Sequence, residues 1–270
     1  MKRFVVLQKN IGETPLSAIQ AWREHNPVYK DVRASYAGRL DPMASGKLLV
    51  LLGDECKRQH AYTQLDKEYE IEVLLDLSSD TGDALGLVEY SKVERYPDRD
   101  TLARTLEEEC GTHRRPYPAF SSKTVNGKPL FLHALEGSLS GLILPTHIER
   151  IYTIRKEKIT TVSNKELEVR ILKFLTLVPR TLEPSKKLGD DFRVDAIRAR
   201  WESIFKKTEG KSFTILRLCV ICASGTYMRT FAGRIGNALG TSALALTITR
   251  TKIGTYKHLF KHVGWWSRTY

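Results

Sequence analysis

The chain has 270 residues, 41% hydrophobic and 27% charged, enough to bury a sizeable core as one large domain or two. Lys plus Arg number 43 against 31 Asp plus Glu, a formal net charge of +12, which favours a polyanionic partner, nucleic acid before membrane. No run approaches the ~18 apolar residues of a membrane span. The apolar run Phe4-Val5-Val6-Leu7 is too short for a secretory signal, so a cytoplasmic protein is expected.

A short strand is predicted over 4–8. A helix follows, with Thr14 as N-cap and Pro15 at its first position, and Leu16, Ile19 and Trp22 on its inner side. Next comes the polar loop Gly38-Arg39-Leu40-Asp41-Pro42, set between apolar segments. Gly38 and Gly46 permit backbone angles that other residues resist, and Pro42 fixes the chain just after the acid. Asp41 is thus a carboxylate on a constrained loop, where catalytic groups tend to sit. Asp-Pro beside Gly is also ordinary turn chemistry, and the loop by itself does not choose.

Residues 47–52 read as a strongly apolar strand or buried helix segment, and 53–57 begin another helix. Over 67–75, Tyr69, Ile71, Val73 and Leu75 share one face of a strand, with Glu68, Glu70 and Glu72 opposite. Residues 80–86 form a polar turn. Residues 98–110 read as a helix with Leu102 and Leu106 inside, ended by Gly111.

From 112 to 145 the texture changes. Arg114, Arg115, Tyr117, Phe120 and Lys123 mix with prolines, and Lys123 and Lys128 flank a turn. This reads as an excursion from the main sheet, suited to phosphates and bases; a solvated basic loop is the plain alternative. Residues 147–156 and 166–178 are predicted as strands. The stretch 179–210 is polar and charged. It holds Val194, Ile197, Trp201, Ile204 and Phe205 at near-helical spacing, which predicts an amphipathic helix with flexible flanks.

The predicted strand 213–222 contains Cys219 and Cys222, a lone CxxC. Residues three apart on a strand point to opposite faces, and no second pair sits at zinc spacing. These read as core cysteines, and no metal constellation is visible. Ser224 or Thr226 is expected to cap the next helix, which has Phe231, Ile235 and Leu239 on one stripe and Gly240 at its end. Arg229 falls in its first turn. A helix N-terminus does not favour a cation, so an anionic partner is expected, and Asp41 is the candidate. Residues 243–254 read as a strand with basic residues at its end, and the remainder as a basic aromatic tail.

Five pieces in this order resemble the TruB family of pseudouridine synthases, whose bacterial members modify uridine 55 in the tRNA T loop. They are Lys9-Asn10-Ile11-Gly12-Glu13-Thr14; Gly38-Arg39-Leu40-Asp41-Pro42-Met43-Ala44-Ser45-Gly46; Lys67-Glu68-Tyr69 with the Asp80-Thr81-Gly82-Asp83 turn; the 118–128 segment; and Gly225-Thr226-Tyr227-Met228-Arg229-Thr230 together with Arg250-Thr251-Lys252-Ile253-Gly254. The resemblance implies an α+β fold with a mixed, mostly antiparallel sheet and an active-site cleft across its middle. It implies a catalytic domain over 1–256, with an RNA-binding excursion at 112–145, a charged insertion at 179–210 and a basic tail at 257–270. No C-terminal PUA-type domain is visible.

It also implies roles. Asp41 is the catalytic aspartate, and Arg229 pairs with it and holds it ionised. Tyr69 stacks on the target uracil and serves in proton transfer. Tyr227 and Ile248 shape the base pocket, and Lys9 and Arg250 support the site or the RNA backbone. Lys123 and Lys128 grip the stem and loop. Pseudouridine formation breaks the N1–C1′ bond, rotates the uracil and joins C5 to C1′. One carboxylate can serve as nucleophile at C1′ or C6, or as base at C2′. Neither metal nor other cofactor is expected, and the expected partner is RNA, the tRNA T stem-loop, met by a monomer. A synthase acting on another RNA and a tRNA-folding chaperone without chemistry are the alternatives; Asp41, Tyr69 and Arg229 together speak against the second. The chain departs from the family pattern at Tyr36, where His is usual and helps prise the target from the T loop, so that Tyr36 is expected to bind substrate by stacking in its place. It departs also at Asn10 for proline and at His147 for arginine.

Overall fold

Runs of alternating or wholly apolar residues build most of the frame of the computed structural model, which describes residues 2–91, 99–178, 193–260 and 263–270. In chain order it contains β1 (Phe4–Lys9), α1 (Pro15–Glu24), β2 (Ala34–Ala37), β3 (Ala44–Leu52), α2 (Gln59–Thr63) and β4 (Asp66–Leu75). A short ribbon follows, β5 (Leu77–Ser79) with β6 (Val88–Tyr90), then α3 (Arg99–Glu109) and β7 (Gly111–Pro116). A small hairpin, β8 (Thr124–Val125) with β9 (Lys128–Pro129), leads into α4 (Leu130–Leu135). The remainder is β10 (Thr146–Ser163), α5 (Asn164–Leu177), α6 (Val194–Lys207), β11 (Ser212–Cys222), α7 (Met228–Ala238), β12 (Ala243–Phe260) and β13 (Val263–Thr269).

The main sheet runs β1–β3–β12–β4–β11–β10–β7, with β2 on β3 and β13 on β12. β3 and β12 are parallel and the other pairs antiparallel, so the sheet is mixed and mostly antiparallel, as expected. The parallel pairing aligns Ala44 with Ile248 and Gly46 with Arg250. A Cβ on Gly46 would lie 2.3 Å from the Arg250 carbonyl oxygen, and its φ is +103°. Glycine is therefore required where the Asp41 loop meets β12.

Both faces of the sheet are covered. On one, Tyr69, Ile71, Val73 and Leu75 meet α7 through Phe231, Ala232 and Ile235. A Cβ on Gly236 would stand 2.5 Å from the Ala243 backbone nitrogen, so this glycine sets the close approach of α7 to β12. On the other face, Leu74, Ile215, Leu244 and Leu246 meet α5 and α6, where Trp201 is fully buried. Burial of each such side chain contributes roughly 1.5–3 kcal/mol. The Trp201 Nε1 donates to the Ala84 carbonyl at 3.0 Å, tying α6 to the turn after β5. The Glu face of β4 is only partly left to water: Glu70 is exposed, but Glu72 is buried and accepts from Arg170, from Arg217 at 2.8 Å and from Thr247 at 3.1 Å.

Several expectations are corrected. Residues 166–178, predicted as a strand, are the helix α5. Ser163 and Glu166 form a reciprocal capping box at its start, worth about 1 kcal/mol, and Leu167, Ile171 and Leu175 at i, i+4, i+8 are its buried stripe. In α1 the inner side is Pro15, Ala18 and Ile19, while Leu16 is 58% exposed. Neither Ser224 nor Thr226 caps α7; Ser224 donates to the Thr63 carbonyl and Thr226 to that of Ala223. Residues 112–116 belong to β7 at the edge of the main sheet and not to an excursion. The expected tail is strand: β12 runs on to Phe260 and pairs with β13. The amphipathic helix expected within 179–210 is α6, with Val194, Ile197, Trp201, Ile204 and Phe205 buried. Residues 179–192 of that stretch, the expected flexible flank, lie outside the described residues.

Candidate active site

The loop bearing Asp41 is short of regular structure and is held by its neighbours. Leu40 and Met43 are buried beneath it. The Gly12 N–H donates to the Pro42 carbonyl at 2.9 Å, and the Ala44 N–H to the Asp41 carbonyl at 3.0 Å. Two buried cations fasten the loop's flanks through backbone oxygens. Lys9 Nζ donates to Ala44 O at 2.6 Å and to Asn10 O at 2.9 Å. Arg250 donates to Lys47 O at 2.7 Å and to Gly38 O at 3.2 Å. Both are essentially without solvent exposure.

Arg229 sits in the first turn of α7, and its fork gathers three separate parts of the chain. Nε donates to Asp41 Oδ2 at 2.7 Å, one Nη to the Thr81 carbonyl at 2.7 Å and the other to the Phe120 carbonyl at 2.8 Å. A second carboxylate, that of Asp83, stands 3.8 Å from Nε. Burial opposes the guanidinium charge, but Asp41 and Asp83 outweigh it and hold the pKa above the ordinary value. Burial likewise pushes the Asp83 carboxyl up, against the pull of Arg229. Asp83 also accepts from Thr81 at 2.9 Å and from the Leu85 N–H at 3.0 Å. The Arg229 side chain is 5% exposed and that of Asp41 36%, so the acid faces outward and its cation lies behind it.

Asp41 opens onto a cavity of about 500 Å³ whose wall includes Tyr69, Tyr227, Ile248, Arg250 and Lys67. Tyr69 and Ile248 are buried, and the register that pairs Arg250 with Tyr69 and Ile248 with Ile71 sets them on one face of the sheet. Burial pushes the Tyr69 phenol up, against Arg250, so it stays protonated at neutral pH. Tyr227, just before α7, is pushed up to about 12 by burial, with Tyr117 adding to it. Its ring meets those of His147 and Tyr117 edge-on, at 5.4 Å and 6.2 Å. Burial lowers Lys67 to about 8, with Arg250 lowering it further, and lowers Lys9 to about 8 against Glu13 and Asp41.

The structure therefore brings together Asp41, Tyr69, Arg229, Tyr227, Ile248 and Arg250, with Lys9 just under the loop. It does not bring Tyr36, Lys123 or Lys128 to the cavity wall. Tyr36 pairs with Val50 in β2 and packs against the cluster beneath α1. Lys123 stands over the Tyr117 ring, and Lys128 is paired with Glu136. Sequence reasoning passed over Asp83, the carbonyls of Thr81 and Phe120, and Lys67 as members of the site. It also passed over Arg193, which lines the cavity, pairs with Asp80 at 2.7 Å and lies 5.1 Å over the Phe120 ring. An acid in a Gly-containing turn is an ordinary turn residue by sequence, and carbonyl roles leave no mark in it. Among the described residues no group of His, Cys, Asp and Glu is arranged to hold a metal ion, and no helix is long and apolar enough to cross a membrane.

This chain is similar to curated proteins called tRNA pseudouridine synthase B. That of Nitrosococcus oceani is 26% identical over 252 residues, covering 93% of this chain and 63% of the relative. That of Borreliella burgdorferi is 25% identical over 254 residues, covering 94% and 70%. The chain thus spans roughly two thirds of the length of these relatives. Among solved structures, a Cbf5-Nop10-Gar1 complex matches with a TM-score of 0.52 and 18% identity, over 93% of this chain and 48% of that one; this is a likeness of fold. The model of the family described as TruB family pseudouridylate synthase (N terminal domain) matches residues 26–173. Because that stretch is more than half of the chain and holds the Asp41 loop, the Tyr69 strand and the Asp83 turn, the chain belongs to the TruB family of pseudouridylate synthases.

Proposed function

We propose that the chain converts a uridine of tRNA to pseudouridine, and that this uridine is position 55 in the T loop. The N1–C1′ bond breaks, the uracil turns within the cleft, and C5 bonds to C1′. Substrate and product have the same atoms, so no electron donor or acceptor is consumed. Asp41 is the catalytic carboxylate, acting at C1′, C6 or C2′. The observation that carries this reading is the exposure of Asp41 to the cavity while its guanidinium partner is buried behind it. A carboxylate held at one oxygen by Arg229 keeps the other available to substrate.

A target uridine must leave its stack to reach Asp41, at a cost of a few kcal/mol. The cavity, about 500 Å³, lies within the size range of small-ligand sites. Tyr69 and Ile248 give it an apolar floor for the flipped uracil. N1, freed from C1′, gains a proton and C5, newly bonded to C1′, loses one, so the count balances, and the Tyr69 phenol lies on the wall where it can relay these protons. Tyr227 closes one wall. Lys123, on the loop leading to β8, meets the RNA backbone outside the cavity, and Lys9 and Arg250 act from beneath by fixing the loop.

The test uses an unmodified tRNA transcript tritiated at uracil C5. Release of tritium by the wild-type protein, lost in Asp41→Asn, is expected. Tight binding with no release would make the chain a binding protein and sink the reading. Mapping the product then tests the position: pseudouridine formed elsewhere would refute uridine 55 and keep the reaction.

A further inference from the structure

The last strands form a ribbon that prolongs β12 of the main sheet, and one carboxylate joins it to β10. Tyr152 Oη donates to Asp66 Oδ1 at 2.8 Å, and the Tyr256 N–H donates to Asp66 Oδ2 at 2.8 Å. Tyr256 and His258 each lie 5.5 Å from the Tyr152 ring, and Trp266 lies 5.3 Å from that of Tyr256. This ring ladder fills one side of the ribbon. On the other side the register sets Lys257 opposite Trp265; Lys257 is exposed and Trp265 is 52% exposed. Arg268 is exposed nearby and stacks over Tyr270 at 4.7 Å.

Strand alternation relates this side to the cleft. Ile253 pairs with Lys67, which lines the cavity. Thr255 and Lys257 follow at every second residue, so Lys257 and Trp265 lie on the cleft side of the sheet. The span from Arg250 to Lys257 is roughly 23 Å of strand. That is too far to touch a base held at Asp41, but within reach of another part of the same RNA.

Charge selects the occupant. No Asp or Glu follows Glu209, while Lys and Arg recur through 211–268. Leu259, Phe260 and Val263 are also exposed on the ribbon, yet a second copy would bring like charge against like. Exposed aromatics interleaved with cations are the means by which proteins hold nucleic-acid backbones and bases. We infer that the β12–β13 ribbon is a second RNA contact, in which Trp265 stacks on a base while Lys257 and Arg268 meet phosphates, engaging RNA outside the stem-loop that carries the target. This rests on the reading above only in taking tRNA as the substrate.

The test compares the Lys257→Ala/Trp265→Ala double variant with wild type in binding two unmodified RNAs, a full-length tRNA transcript and an isolated T stem-loop. Full-length affinity is expected to fall about tenfold, and stem-loop affinity to stay the same. The slope of log affinity against log salt for full-length RNA is expected to drop by about 1. Unchanged full-length affinity would overturn the inference, as would an equal loss on both RNAs. So would a wild-type dimer, seen by light scattering without RNA, that the double variant abolishes. If neither RNA releases tritium yet the variant loses full-length binding alone, the proposed activity fails and the ribbon stands.

Discussion

Replacing Arg229 by lysine keeps the positive charge and removes the fork, and so separates the two. The guanidinium donates in three directions, to Asp41 and to the carbonyls of Thr81 and Phe120. A single ammonium cannot reproduce that planar arrangement. If the lysine recovers Asp41 and one carbonyl, one buried acceptor is left unpaired, which costs about 1–3 kcal/mol. The Asp41 ion pair adds little to that sum, because Asp41 is 36% exposed and exposed pairs are screened. Activity should suffer more than stability. Asp41 would swing on its loop, and a misplacement of about 1 Å at a reacting group costs on the order of 100-fold in rate. Single-turnover tritium release and urea unfolding measure the two effects. An Arg229→Lys protein with a rate within about threefold of wild type would refute the reasoning, since charge alone would then suffice.

Three further outcomes follow from the geometry. Arg193→Ala should lower turnover roughly fivefold, about 1 kcal/mol, with the urea midpoint nearly unchanged. Arg193 ties Asp80 to Phe120, beside the two carbonyls that Arg229 uses; unchanged turnover would remove that link. Gly236→Ala should destabilise by about 1–2 kcal/mol, overpacking against Ala243 outweighing the better helix propensity of alanine, and a stabilised variant would contradict the packing. Lys9→Met should alter the pH dependence of stability. Burial lowers Lys9 to about 8 from 10.5, so between those values the unfolded chain binds more protons and wild type gains on the variant as pH rises. The gain approaches roughly 3 kcal/mol by the top of the window, and a pH-independent difference in urea unfolding would exclude it.

What the sequence discloses depends on how local the physics is. The alternation of Tyr69, Ile71, Val73 and Leu75 is visible because one apolar face meets α7 along its whole length. Over 166–178 the local run Leu167-Glu168-Val169-Arg170-Ile171 also alternates, and it suggests a strand. The deciding features are the Ser163–Glu166 box before it and the wider spacing of Leu167, Ile171 and Leu175. The end of the chain looks irregular because the cross-strand register skips Ser267 on β13 and Leu259 on β12, while β12 keeps its two-residue period from Ile253 to Lys257. In the site, the partner of Arg229 could be inferred from the dislike of a helix N-terminus for a cation. Its carbonyl acceptors could not, since any residue offers a carbonyl. Tyr36 is a candidate only through the family resemblance, as the residue standing where His is usual, and the pairing of β2 with β3 turns it toward α1.

The cations at the site are more than a way of holding Asp41. Lys9, Lys67, Arg229 and Arg250 are all buried at one end of the sheet, with Asp41 and Asp83 as the acids among them. Burial first, and for Lys67 the charge of Arg250 next, brings both lysines down to about 8. A phosphate arriving at the cleft would add negative charge nearby and raise both values. Bound RNA would then hold more protons on the protein than the free form does at pH 8–9. By linkage, affinity must fall as pH rises through that range, by at most tenfold per pH unit for each lysine so coupled. Binding of unmodified tRNA at fixed salt at pH 7, 8 and 9 reads this directly, and calorimetry in two buffers of different ionisation enthalpy counts the protons taken up. Affinity that is flat or rises from pH 7 to 9 would mean that the RNA backbone does not sense the buried lysines, and their task would then be confined to fastening backbone, Lys9 at Ala44 beside the Asp41 loop and Lys67 at Thr63 and Leu65 in the turn before β4.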